Sequence, residues 1–173
     1  IGIGDDGPDE MIGKARVRFV PFQTDAGRLA EYYRAADAYL NAARAETFGI
    51  TISEAMACGA PVVATAVGGI PEVLGPSAID VSTGSSRDVD ATGWLVPMGN
   101  ASAMAAAISD LSADDEFRHR VGENGARRAK KCFGLDLQVT DYLDLYHRIL
   151  SDDPASIQSF RKFSRADRGR KQS

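Results

Sequence analysis

Short apolar runs alternate along the chain with longer segments in which apolar residues recur at helical spacing. Residues 61–65 (PVVAT) form a β-branched run with little polar interruption, which is typical of a central parallel strand covered on both faces. Shorter runs at residues 16–20, 38–42 and 94–96 predict further strands. Capping residues and apolar spacing predict helices from Thr24 or Asp25 to about residue 36, over 50–58, from about Pro71, and over 101–111, 115–131 and 135–150.

Strands that alternate with helices predict an α/β fold, a Rossmann-like doubly wound parallel sheet with helices on both faces. In such sheets, ligands bind outside the carboxyl ends of the strands. Three predicted loops leave those ends, at residues 21–25, 41–49 and 66–70, and we expect any site to lie there. Residues 75–92 are rich in Ser, Gly and Asp and predict a loop around a small strand at residues 78–81.

Composition limits the class of protein. The 173 residues carry a net charge of −4, which argues against general nucleic-acid binding. Two cysteines give no disulfide framework, so a reducing cytoplasm is the expected location. The sequence contains no signal peptide and no apolar stretch near the roughly 20 residues that a membrane span needs.

The domain organisation follows from the same pattern. Residues 1–150 are predicted to be one Rossmann-like domain, and the opening IGIGDDGPDE resembles the end of a strand running into a turn. We therefore expect a piece of a longer chain, without the first strand and helix of this domain. Residues 151–173 carry six basic and three acidic residues and are expected to be a disordered tail.

Gly49, Ile50 and Thr51 stand where a loop is predicted to enter a helix. A helix that begins there leaves backbone N–H groups unpaired and directs its positive dipole end at the crevice, an arrangement that binds phosphate. Gly68 and Gly69 could bring a second helix start into the same space. The alternative is that glycine at these turns serves backbone geometry alone.

Glu46 and Glu54 sharpen this interpretation, because a carboxylate repels phosphate and is better suited to accept hydrogen bonds from hydroxyls. Glu46 lies before the predicted helix, and Glu54 lies one helical turn inside it. The two side chains could therefore reach opposite ends of an extended ligand. A ligand with hydroxyls on both sides of a diphosphate is a nucleotide-sugar. The alternatives are a solvated Glu54 with Glu46 as a cap or ion-pair partner, and a glycoside hydrolase pair, which the helix-start setting disfavours.

The run ETFGITISEAMACGAPVVATAVGGIPEVL, followed by TGWLVP, closely resembles the carboxyl-terminal domain of retaining GT-B glycosyltransferases of the group 1 family. The Glu-x7-Glu signature of that family is matched by Glu46 and Glu54. The resemblance covers roughly residues 17–150 and is strongest over residues 46–97. It implies that the fold is the carboxyl-terminal half of a GT-B architecture.

The resemblance also implies roles for single residues. Glu46 would be the catalytic candidate, binding hydroxyls of the donor sugar, and Glu54 would bind the ribose. By the same resemblance, Phe48 and Gly49 would line the sugar pocket, and the amides of Ile50 and Thr51 would bind phosphate. The nucleobase would lie at Val20, Pro21 and Phe22. Gly68 and Gly69 would form the crevice loop.

The implied reaction is sugar transfer from a UDP-, GDP- or ADP-linked donor, with retention at the anomeric carbon and without a bound metal or cofactor. In this family, an Arg and Lys clamp for the diphosphate and an amino-terminal acceptor domain precede the point where this chain starts. We therefore expect this chain alone to be inactive or nearly so. The loop at residues 75–92 is longer than usual for the family and is interpreted as a surface insertion rather than a lid.

Two alternatives stay open. A nucleotide-sugar epimerase or a sugar phosphorylase would share the fold and a related crevice. The second alternative is a non-catalytic module that binds a nucleotide-sugar or another protein. In such a module, the basic tail could contact a partner domain or the acidic inner face of the membrane.

Overall fold

A computed structural model describes residues 2–3, 7–83 and 88–151 of the chain. The chain divides into two compact units, Ile1–Lys130 and Lys131–Ser173. The predicted domain over residues 1–150 and its tail therefore stay predictions, and residues 152–173 lie outside the described residues.

The described elements alternate between short strands and helices, as the sequence predicts. The strands are β1 (Gly2–Ile3), β2 (Glu10–Ile12), β3 (Ala15–Val17), β4 (Phe19–Val20), β5 (Tyr39–Asn41), β6 (Val62–Thr65), β7 (Ile79–Asp80) and β8 (Trp94–Val96). The helices are α1 (Ala26–Ala35), α2 (Ile50–Ala57), α3 (Ile70–Leu74), α4 (Ala101–Ser112), α5 (Asp115–Phe133) and α6 (Leu135–Leu150).

Four strands form one parallel sheet in the order β5-β6-β8-β7. The register places Leu40 beside Val63 and Ala64 beside Leu95. All four residues of β6 and all three of β8 are buried, because these two strands occupy the centre of the sheet. The prediction of residues 61–65 as a covered central strand is confirmed, as is the α/β class with a parallel sheet flanked by helices.

One buried cluster packs the central strands against α4 and α5. Val63, Trp94 and Val96 pack with Leu111 of α4 and Phe117 of α5 in a single buried cluster. The Trp94 and Phe117 rings meet edge to face, with centroids 5.8 Å apart. Burying side chains of this size stabilises the fold by roughly 1.5–3 kcal/mol each, so the cluster anchors the strands whose carboxyl ends carry the loops described below.

The predicted single strand at residues 16–20 is wrong in one respect, because it is two strands that separate at Arg18. β3 pairs antiparallel with β2, a strand that the sequence analysis did not identify, around a turn in which Gly13 has φ 63°. β4 instead pairs parallel with β1. The run divides because its two halves hydrogen-bond to different partners, which alternation along one strand does not reveal.

The loop at residues 75–92 contains the predicted small strand as β7, at the edge of the sheet beside β8. Its carboxyl-terminal end is fixed by buried hydrogen bonds. The Asn124 side-chain amide donates to the carbonyls of Val89 and Ala91, both at 2.9 Å, and the Thr92 hydroxyl donates to the Leu74 carbonyl at 2.7 Å. Residues 84–87 lie outside the described residues, and the interpretation of the loop as an insertion stays a prediction.

The second unit contains α6, which confirms the helix predicted over residues 135–150 and in which no residue is buried. Among the helices that the structure describes, none combines the length and apolarity needed to cross a membrane. The cytoplasmic location and the role of the tail stay predictions.

Replacing Asn124 by alanine should lower the free energy of unfolding by about 1–3 kcal/mol, because it leaves two carbonyls without their buried donor. Urea denaturation followed by circular dichroism measures the change. The control is Glu123→Ala at the exposed neighbouring position on α5, which should stay within about 0.5 kcal/mol of the wild type. Equal midpoints for the two variants would contradict this account of the loop.

Candidate functional site

The turn into α2 is formed by Gly49 in a left-handed conformation, with φ 96° and ψ 52°. Such a conformation is costly for other residues, so glycine is required here by the backbone. The amides of Ile52 and Ser53 both donate to the Gly49 carbonyl at 3.0 Å. The amides of Ile50 and Thr51 precede these first helical bonds, and both residues are exposed, so these two N–H groups stand at the positive end of the helix without an intrahelical acceptor.

Glu46 lies beside this helix start. A Cβ on Gly49 would stand 3.8 Å from the Glu46 Cγ, and the half-buried carboxylate accepts a hydrogen bond through Oε1 from the Thr47 amide at 2.9 Å. This bond orients the side chain and uses one of its roughly four acceptor positions. Among the described residues, Glu46 takes part in no ion pair.

Gly68 and Gly69 bring the loop after β6 into direct backbone contact with the loop after β5. A Cβ at Gly68 would stand 1.6 Å from the Glu46 carbonyl oxygen, and one at Gly69 would stand 2.5 Å from the Thr47 oxygen. The Gly69 amide donates to the Glu46 carbonyl at 3.4 Å. Only residues without side chains allow this approach, so the two glycines determine where Glu46 is held.

A second tie joins the same two loops. The Thr65 hydroxyl, at the end of β6, donates to the Ala43 carbonyl at 2.6 Å. Together with the glycine contact, it fixes the loop at residues 42–49 at both ends. Phe48, in this loop, is 43% exposed.

Glu54 lies one turn inside α2 and is half-buried. The Tyr33 hydroxyl, from α1, donates to its Oε2 at 3.2 Å. Burial, followed by the nearby Tyr39 and Glu54, raises the pKa of Tyr33, so the hydroxyl keeps its proton and acts as a donor. Because side chains on a helix tilt toward its N-terminus, this carboxylate leans toward the end of α2 that carries Ile50 and Thr51.

In the sequence, Tyr33 is one of the residues whose helical spacing predicts α1, together with Leu29, Tyr32 and Ala36, and that spacing gives it no further role. The signal that could have identified it is general: a tyrosine buried at a helical core position needs a partner for its hydroxyl, and Glu54 is the partner found.

Val20 is the last residue of β4, which pairs with β1 in a separate two-stranded sheet, and Pro21 and Phe22 follow it. Val20 is buried, whereas Phe22 is 76% exposed. The structure thus brings together Glu46, Gly49, Gly68 and Gly69 around the start of α2, holds Glu54 one turn further on, and puts residues 20–22 at another strand end. The roles of all these residues stay predictions.

Within the described residues, no three His, Cys, Asp or Glu side chains form a group that could hold a metal ion. The arrangement combines the first amides of a helix with the Glu46 carboxylate in the preceding loop and the Glu54 carboxylate one turn inside the helix. Such a site can bind an anionic group flanked by hydroxyls.

Comparison with known proteins relates this chain to a family. Residues 9–128 match the family described as glycosyl transferases group 1. A D-inositol 3-phosphate glycosyltransferase from Xylanimonas cellulosilytica is 39% identical over 128 residues, which is 74% of this chain and 27% of that protein. The chain spans about a third or less of the length of the curated relatives it matches.

Solved structures of glycosyltransferases share the fold of this chain. Sucrose-phosphate synthase from Thermosynechococcus elongatus superposes with a TM-score of 0.67 at 34% identity, over 80% of this chain and 31% of that one. HepE from Anabaena, in complex with UDP-glucose, gives a TM-score of 0.58 at 26% identity, over 75% of this chain and 32% of that one. These neighbours confirm the predicted GT-B type of fold.

Replacing Gly68 by alanine tests the backbone contact. The matched control is Gly59→Ala, since both glycines have positive φ but a Cβ at Gly59 would meet nothing within 4 Å. Both variants bear the cost of a left-handed alanine, and Gly68→Ala should lose about 1–3 kcal/mol more because the new methyl group collides with the Glu46 carbonyl. Urea denaturation of both proteins measures the difference; equal losses would show that the loops are not in contact.

Proposed function

The chain belongs to the group 1 glycosyltransferase family, and we propose that it binds the nucleotide-sugar donor of an enzyme that transfers a sugar to an acceptor. The observation that carries this proposal is the grouping of Glu46, Gly49 and Gly68 around the start of α2, with Glu54 one turn inside the helix. HepE, which shares the fold, binds UDP-glucose and UDP, and this supports a nucleotide-sugar as the ligand class.

The diphosphate is proposed to bind at the amides of Ile50 and Thr51. Two N–H groups at a helix N-terminus, together with the helix dipole, favour an anion there. Gly49 has no side chain to block the approach of a phosphate to the backbone. The same amides stabilise the negative charge that develops on the leaving diphosphate, so we propose that donor cleavage at this site needs no bound metal or cofactor.

The two carboxylates are proposed to hold the alcohols on either side of that diphosphate. Glu46, fixed by the Gly68 contact, binds donor-sugar hydroxyls and is the catalytic candidate, with Phe48 lining the sugar pocket. Glu54 accepts hydrogen bonds from the ribose. A carboxylate is unfavourable next to phosphate and favourable next to hydroxyls. The position of Glu54, one turn beyond the helix start, therefore suits this division of roles.

The nucleobase is proposed to lie against residues 20–22, where the exposed Phe22 ring offers an apolar surface. We further propose transfer with retention at the anomeric carbon, which proton NMR of the product would test with a protein that joins this chain to an acceptor domain. Transfer requires donor and acceptor to be held together. The 173 residues alone are therefore expected to leave the donor intact, and release of free sugar or UDP from UDP-glucose by this chain would contradict that.

Isothermal titration of the chain with UDP, GDP and ADP tests the binding proposal. At least one of the three should bind with saturation at millimolar concentration or below. Glu54→Gln should weaken that binding by about tenfold or more, because a hydrogen bond to a charged acceptor is worth about 1.5–3 kcal/mol. Absence of binding by all three nucleotides would overturn the proposal.

Glu46→Gln separates the two carboxylate roles. It should leave the affinity for the free nucleoside diphosphate nearly unchanged and reduce the affinity for the matching nucleotide-sugar by about tenfold. Glu123→Gln, an exposed glutamate on α5, is the control and should change neither. An equal loss for both ligands in Glu46→Gln would contradict a contact with the sugar.

A further inference from the structure

Tyr33 joins two helices that are far apart in the sequence. Its hydroxyl on α1 donates to Oε2 of Glu54 on α2, across 21 positions of sequence. The tyrosine is only 7% exposed. Tyr39 packs edge to face against its ring, with centroids 5.5 Å apart and an interplanar angle of 76°. The donor is therefore held by packing, and the more exposed carboxylate is the partner that it orients.

The hydrogen bond leaves most of the carboxylate free. An ionised glutamate can accept at about four positions on its two oxygens, and Tyr33 uses one of them on Oε2. The remaining positions can accept hydrogen bonds from two neighbouring hydroxyls. Without a fixed donor, a glutamate on a helix surface would move among rotamers, and ordering a long side chain of this kind on binding costs about 0.5–1.5 kcal/mol.

We propose that Tyr33 is a positioning residue that presets the Glu54 carboxylate for two vicinal ribose hydroxyls, and so sets the preference of the site for ribonucleotides over deoxyribonucleotides. This inference rests on the proposed function, in which Glu54 binds the ribose. Tyr33 contacts no ligand itself and acts through Glu54 alone.

A purely structural role makes a different prediction. If Glu54 only satisfies a buried hydroxyl, removal of that hydroxyl changes the stability of the fold and affects all ligands alike. If Tyr33 positions Glu54, removal of the Tyr33 hydroxyl lowers the affinity for ligands that carry both ribose hydroxyls. The affinity for a ligand that lacks one of these hydroxyls changes little. The ratio of the two affinities separates the roles.

The test is titration of the wild-type chain and of Tyr33→Phe with UDP and 2′-deoxy-UDP. Tyr33→Phe keeps the ring and its packing on Tyr39 and removes only the donor. This variant should lower the affinity for UDP by about three- to tenfold and the affinity for 2′-deoxy-UDP by much less. The ratio of the UDP affinity to the 2′-deoxy-UDP affinity therefore falls. The control is Tyr32→Phe, the half-buried neighbour on α1, which should leave the ratio unchanged.

A double-mutant cycle with Glu54→Ala completes the test. Tyr33→Phe in the Glu54→Ala background should cause no further fall in the ratio, because the residue through which it acts is gone. An unchanged ratio in Tyr33→Phe, with a wild type that prefers UDP through Glu54, overturns this inference and leaves the proposed function standing. A wild type that binds neither nucleotide overturns both.

Discussion

The site depends on one backbone contact, the approach of Gly68 and Gly69 to the carbonyls of Glu46 and Thr47. It brings the loops that follow two neighbouring parallel strands within a distance that no side chain would allow. The carboxyl ends of parallel strands meet at one edge of a sheet, and β6, the strand that leads to Gly68 and Gly69, is fully buried. The backbone of Glu46 is thus held against a loop that extends directly from the core.

If the start of α2 binds an anion, as proposed, the two nearby carboxylates oppose that binding, since like charges repel. Two features of the structure reduce the difficulty. The α2 helix offers its amides and dipole at Ile50 and Thr51, and Glu46 and Glu54 each have one oxygen already engaged by a protein donor. In the proposed complex, the diphosphate lies at the helix start, and the two carboxylates contact hydroxyls rather than phosphate.

Much of this could be predicted from the sequence because it is local. The β-branched run of β6, the Asp25 cap of α1 and the glycine turn before α2 are specified by neighbouring residues, and each was predicted close to its observed bounds. The division of residues 16–20 into two strands is not predicted by the sequence, because it arises from pairing with two different strands, β2 and β1.

The link between Tyr33 and Glu54 was also missed, because it joins helices whose contact depends on the packing of the whole unit. Periodicity identifies Tyr33 as inward-facing and cannot name its partner. The same limit applies to Gly68: the sequence shows a turn, and only the adjacency of β5 and β6 reveals which carbonyl the glycine approaches.

The most direct test of the central claim, that exposed amides at the start of α2 hold an anionic group, is an NMR titration of the ¹⁵N-labelled chain with UDP. The account predicts saturable shifts that are largest at the backbone amides of Ile50 and Thr51. Saturable binding that leaves these two amides unshifted would contradict it.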